Sequence, residues 1–183
     1  MLSKLIMNVG GMFSGKSTEL QRQGKRHIIA GHKVVFLKPQ FDDRYSKDCI
    51  VTHLGETVEA VNVTDTILIP EVAEAEVILL DEIQFYNNSV IGEIRQLLRE
   101  GKIIYASGLD MDFNGNGFNI VMNLMSMADD VQKFKAVCEE CGQDATFTDK
   151  RVKNGVVNEL GSKDLYIPLC RSCYYKANPE DRG

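Results

Sequence analysis

Three groups of residues in this 183-residue chain have the types and spacing to do chemistry. The first, Gly10-Gly11-Met12-Phe13-Ser14-Gly15-Lys16-Ser17 followed by Thr18, fits the pattern GxxxxGK[ST]. Its glycines let backbone N–H groups wrap phosphate oxygens, and a helix starting there adds the positive end of its dipole. Lys16 is expected to reach the terminal phosphates and the Ser17 hydroxyl to ligate Mg²⁺. The second group is Asp81-Glu82, at the end of the apolar run 77–80. A carboxylate delivered at the carboxyl edge of a parallel sheet lies beside the phosphate loop, so Asp81 is expected at the Mg²⁺. Glu82 points elsewhere, because successive strand side chains alternate, and suits a base that positions a nucleophile. The third group is two CxxC pairs, Cys138/Cys141 and Cys170/Cys173, which present four thiolates for a tetrahedral Zn²⁺. Residues 142–169 between them exceed the roughly 15 to 20 of an ordinary ribbon, so the spacer must carry something extra.

Two weaker signals stand beside these. Asp42-Asp43-Arg44 offers carboxylates and a guanidinium that could spread over a transferring phosphoryl group, but on its own it reads as a surface charge cluster. Cys49 reads as an incidental thiol, and a thioredoxin-like redox role would need one CxxC at a helix start rather than two pairs.

The elements that must position these groups alternate in type. Residues 5–9, 33–37, 77–80 and 102–107 read as short β-branched-rich strands. A helix is expected from Ser17 to a cap at Gly31, and another over 90–100, stopped by Gly101. Met122, Met125 and Met127 read as core filling on a further helix, and 40–52 as a polar loop. Such alternation implies a mostly parallel sheet with helices on both faces. One α/β domain over residues 1–135 follows, then a change of character at 136–183. There the runs 145–152 and 156–160 flank Asn154-Gly155, a hairpin signal, and the tail 178–183 is expected to fray.

Composition narrows the function. With 26 acidic and 21 basic residues the net charge is −5, the wrong sign for a chain whose main partner is nucleic acid. A hydrophobic content of 44% supports a real core, yet no run approaches the roughly 20 apolar residues of a membrane span. The first nine residues carry one lysine and no cleavage-like site, which points to the cytoplasm. On residues alone three readings stay open: a nucleotide-dependent kinase, a P-loop ATPase in which Glu82 activates water, and a nucleotide-switched zinc-ribbon binding module.

The strings GMFSGKSTEL (11–20), FDDRYS (41–46), DEIQFY (81–86), GLDMDF (108–113) and the two cysteine pairs together resemble, in order and over nearly the whole chain, the zinc-containing type II thymidine kinases. The resemblance implies a RecA-like P-loop parallel sheet flanked by helices, with a small C-terminal zinc-binding β subdomain carrying a lasso loop. It implies transfer of the γ-phosphoryl of ATP to the 5′-hydroxyl of thymidine, and leaves open whether deoxyuridine is also an acceptor. Glu82 would be the catalytic base. Gly10 to Thr18, with Asp42, Arg44 and Asp81, would handle ATP and magnesium. Met12, Phe85, Leu109, Phe113, Phe118, Thr148 and Tyr166 would line the nucleoside pocket, and a lasso over 157–166, including Val157, Glu159 and Gly161, would cover the base. A homotetramer inhibited by thymidine triphosphate is also implied, without the longer regulatory tail of some animal members. Ile83 and Tyr86 depart from the small residue and the phenylalanine or leucine common in the family at those positions.

Overall fold

The computed structural model describes residues 2–40, 49–51, 57–150 and 165–179, without the side chains of 49–51, 57 and 58. Asp42, Arg44, Val157, Glu159 and Gly161, most of the expected loop at 40–52, and the Asn154-Gly155 turn with the run 156–160 lie outside the described residues.

The chain runs β1 (Lys4–Gly10), α1 (Lys16–Ile29), β2 (Val34–Pro39), β3 (Cys49–Val51), β4 (Thr57–Glu59), β5 (Val61–Val63), α2 (Pro70–Glu74) and β6 (Val77–Leu80). A single 3₁₀ turn (Ile83–Phe85) leads to α3 (Val90–Arg99), β7 (Ile103–Gly108), α4 (Asn119–Met127) and β8 (Asp130–Phe134). Four short strands follow, β9 (Ala136–Val137), β10 (Asp144–Ala145), β11 (Phe147–Lys150) and β12 (Tyr166–Leu169), and then α5 (Arg171–Ala177). Six strands form one sheet in the order β5-β2-β6-β7-β1-β8, every pairing parallel. The four strands expected from apolar runs are its central members. The two edge strands escaped the pattern. In β8 the first four residues are exposed, so no buried face wrote itself into the sequence, and β5 is only three residues long.

Alternation along the strands builds two apolar layers. Leu5, Met7, Val9, Ile78 and Leu80 face one side, where Val90, Ile94 and Leu97 of α3 and Ile120, Val121 and Leu124 of α4 cover them. Ile6, Val77 and Leu79 face the other side with Leu20 of α1 and Phe36 of β2. Of the methionines of α4, Met125 and Met127 pack against the first layer as core filling, whereas Met122 is about half exposed and does not belong to the core. Both expected stops hold: Gly31 (φ 85°) and Gly101 (φ 87°) take the left-handed conformation that ends α1 and α3.

Beyond β8 the chain makes two small antiparallel pairs, β9 with β10 and β11 with β12. The expected fraying does not begin at Asn178. Its amide donates to Asp149 Oδ2 (3.1 Å) and to the Tyr174 carbonyl (3.0 Å), which holds it buried. Among the described residues no helix is long and apolar enough to cross a membrane.

One close contact sets how near α1 lies to the sheet. A side chain at Gly24 would overlap the Phe36 ring, so the helix backbone lies directly against that ring. Gly24→Ala is expected to destabilise the fold by about 1–3 kcal/mol, since a packed layer must move aside. A urea titration reads this as a lower midpoint at unchanged slope, and an unaltered midpoint would show that the ring yields freely.

Candidate active site and metal centre

The phosphate loop leaves β1 at Gly10 and enters α1 at Lys16. Phe13 within it adopts φ 64°, unusual for a residue with a side chain, and its ring packs between the apolar cluster of the small strands and a second cluster around Met12. Lys16 is buried beneath the loop, with Nζ donating to the Gly11 carbonyl (2.7 Å) and near Ser14 Oγ (3.5 Å). Its ammonium therefore sits in the concavity that the loop encloses.

Ser17 opens the helix, and its hydroxyl donates to Asp81 Oδ1 at 3.1 Å. Because β7 separates β1 from β6 in the sheet, these residues come from strands two apart and meet only at the sheet's carboxyl edge. Burial pushes the Asp81 carboxyl up to about 7 and the Glu82 charge adds to that, while the Ser17 hydroxyl, the Glu82 N–H and Lys16 oppose it. A buried carboxylate beside a second carboxylate favours a cation between them and the loop. The 3.1 Å oxygen separation is close to the edge of about 2.9 Å that bonds of 2.0–2.1 Å give in octahedral Mg²⁺. The hard oxygen donors fit that ion.

Glu82 follows in a left-handed conformation (φ 50°, ψ 46°), which a residue with a Cβ adopts at a strain of roughly 1–3 kcal/mol. This bend breaks the strand alternation and throws the chain into the 3₁₀ turn. Ile83 is fully buried in the main core, so the bend is anchored by packing on its far side. Glu82 Oε2 accepts a hydrogen bond of 2.6 Å from Gln84 Nε2.

Of the residues expected around the nucleoside, Met12, Phe113 and Tyr166 form one buried cluster, with Leu109, Phe13 and Leu165 packed against it. Thr148 reaches the same place from β11, where its hydroxyl accepts from the Met12 N–H at 2.9 Å. Phe85 is half-buried in the 3₁₀ turn, and Phe118 packs against the main core at the start of α4. Sequence reasoning missed Lys150, whose buried Nζ lies 5.6 Å from the Phe113 ring centre and 6.0 Å from that of Tyr166. It also missed Tyr174, which stacks on Phe147 and donates to the Phe113 carbonyl at 2.7 Å. Neither carries a local signal, since each acts through a partner on another element.

The four paired cysteines converge. Their sulfurs all lie within 4.8 Å of one another, with Cys141 and Cys170 at 3.6 Å, and all four are free thiols. A tetrahedral zinc tetrathiolate with bonds near 2.3 Å has sulfur–sulfur edges of about 3.8 Å, so the cluster is close to the size required. Burial pushes the Cys138 thiol up, but N–H groups of Cys170, Cys141 and Glu140 donate to it and hold it at about 6. Cys173 is pushed up to about 12 by the neighbouring sulfurs of Cys170 and Cys141. Four sulfurs this close do not all lose their protons without a cation among them, and these residues are placed to bind a metal ion.

The thymidine kinase family model matches residues 3–174. A thymidine kinase of Pseudothermotoga lettingae is 39% identical over 179 residues, covering 96% of this chain and 97% of that protein. One from Bacteroides thetaiotaomicron is 39% identical over 173 residues, covering 94% of this chain and 87% of its own. Among solved structures, AMPPCP-bound DnaA from Aquifex aeolicus matches with a TM-score of 0.43 at 17% identity, over 73% of this chain and 41% of that one. With its phosphate loop, acidic pair and four cysteines all inside the matched span, this chain belongs to the thymidine kinase family.

Proposed function

We propose that this chain transfers the γ-phosphoryl group of ATP to the 5′-hydroxyl of thymidine, giving dTMP and ADP as a step of nucleotide salvage, with acceptance of deoxyuridine left to the test below. The observation that carries the reading is the meeting of Ser17 with Asp81, and of Glu82 directly after it, at the mouth of the phosphate loop whose Met12 also belongs to the aromatic cluster. A phosphate-binding end and a flat apolar end thus adjoin at one loop, as a nucleoside kinase requires.

Residues 10–18 cradle the phosphates through backbone N–H groups, and Lys16 neutralises charge on the transferring group. Ser17, and Asp81 directly or through water, would hold Mg²⁺, which would supply positive charge to offset that of the phosphates. Glu82 orients the 5′-hydroxyl toward the phosphorus and accepts its proton late in the transfer. Asp42 and Arg44 belong, on this reading, beside the phosphates. Met12, Leu109, Phe113 and Tyr166 hold the base, with Phe85, Phe118 and Thr148 around them, while backbone groups near Val157, Glu159 and Gly161 read its edge. Zinc is the ion assigned to the four cysteines, which anchor a C-terminal unit (residues 136–183) beside the kinase domain (residues 1–135). A cytoplasmic homotetramer, inhibited by thymidine triphosphate as a two-ended mimic of nucleoside and phosphates, completes the proposal.

Incubation with labelled ATP, Mg²⁺ and a panel of nucleosides tests it. Formation of dTMP, with or without dUMP, is the expected result; ATP turnover that ignores added thymidine would favour the ATPase reading and overturn this one. Glu82→Gln should keep nucleotide binding while turnover falls by about 10²- to 10⁴-fold. Metal removal by a chelator should weaken thymidine binding before it changes far-UV circular dichroism, because the sheet has its own two apolar layers. Normal thymidine affinity in metal-free protein would separate the metal from substrate binding.

A further inference from the structure

Gln84 sits two residues beyond the base, in the 3₁₀ turn, and is buried. Its amide makes two hydrogen bonds in opposite directions. Nε2 donates to Glu82 Oε2 at 2.6 Å, and Oε1 accepts from the Leu109 N–H at 3.0 Å. The amide orientation is forced by chemistry, since a carboxylate only accepts and a backbone N–H only donates. Gly108 makes the space: a Cβ there would stand 2.5 Å from Gln84 Oε1 and 2.7 Å from Ile83 Cγ2.

Resting on the assignment of Glu82 as base, we infer that Gln84 is a positioning residue for the phosphoryl transfer: its amide ties the Glu82 carboxylate to the segment that carries Leu109 and Phe113. Three features carry the inference. Glu82 lies on a strained left-handed bend, one residue past the last bond that ties this chain to β2, from the Asp81 N–H to the Leu37 carbonyl. The short bond from Gln84 restrains the far end of that side chain, and a charge-assisted bond is the strong kind. The other end of the amide is anchored where β7 passes into the nucleoside wall, and not on the phosphate loop. The carboxylate is thereby registered to the same segment that holds the acceptor nucleoside, so the proton acceptor and the hydroxyl share a frame. The rigid link acts before the transition state, as positioning that turnover reads and ground-state binding does not.

The test is a double-mutant cycle between Gln84→Met and Glu82→Gln, with thermal midpoints measured for each protein. Gln84→Met keeps the side chain's length without its hydrogen bonds, and is expected to lower kcat by about 10- to 100-fold with KM for ATP and thymidine within about twofold. In the Glu82→Gln background the same change is expected to have almost no effect, because its route to the reaction is already gone. Where Gln84→Met proves too unstable to assay, Gln84→Asn retains an amide one methylene too short to hold both partners and should show the same pattern. Additive losses, or unchanged kcat in both Gln84 variants, would overturn the inference and leave Gln84 as a structural tie. Normal turnover in Glu82→Gln would be a different failure, removing the base assignment itself and the inference with it.

Discussion

The hydrogen bond from the Ser17 hydroxyl to the Asp81 carboxylate is the point on which the rest of the site depends. It joins the first turn of α1 to the end of β6 across an intervening strand. Parallel pairing fixes the heights of β1, β7 and β6 relative to one another, so the two oxygens meet only if every register between them is right. The apolar layers on both faces enforce those registers, because a slip of one residue would turn each strand's buried set toward the wrong helices. Core packing and the meeting of these two oxygens are therefore one constraint seen at two distances.

From that point the chain changes regime within one residue. Asp81, directly after β6, is still tied to β2 by its N–H bond to the Leu37 carbonyl, and Glu82 turns away. The left-handed bend is tolerated because Ile83 is locked in the core and the following N–H groups of Phe85 and Tyr86 return to the carbonyls of Glu82 and Ile83. Strain at the acidic pair is thus held by packing outside the site. That division lets two adjacent carboxylates face different tasks, one toward the hydroxyl of Ser17 and the other toward the amide of Gln84.

The small strands and α5 are more than an appendage to the sheet. Thr148 accepts from the phosphate loop at Met12, and Tyr174 donates to the loop carrying Phe113, so the metal-binding unit touches both ends of the site. The cysteines set the geometry of that unit. Cys170 caps α5, with its sulfur accepting from the Cys173 N–H, and Tyr174 follows at once. A change at the sulfurs is one helical turn from the bond between Tyr174 and the Phe113 carbonyl.

The phosphate loop, the acidic pair, the four cysteines and the central strands were legible because each is written in adjacent or regularly spaced residues. A glycine pattern, a buried apolar run ending in carboxylates, and paired thiols carry their meaning locally. The helix stops at Gly31 and Gly101 were legible for the same reason. What only the tertiary structure decided is which residues from distant elements meet. Gln84 became a partner of Glu82 because the chain bends into a 3₁₀ turn directly after β6, and Lys150, Tyr174 and Asn178 gained roles through aromatic and hydrogen-bond partners up to 61 positions away. Edge strand β8 left no mark because its side chains face water on both sides. Local sequence specifies chemistry and period, whereas pairings between elements follow from sheet order and packing, which are properties of the whole chain.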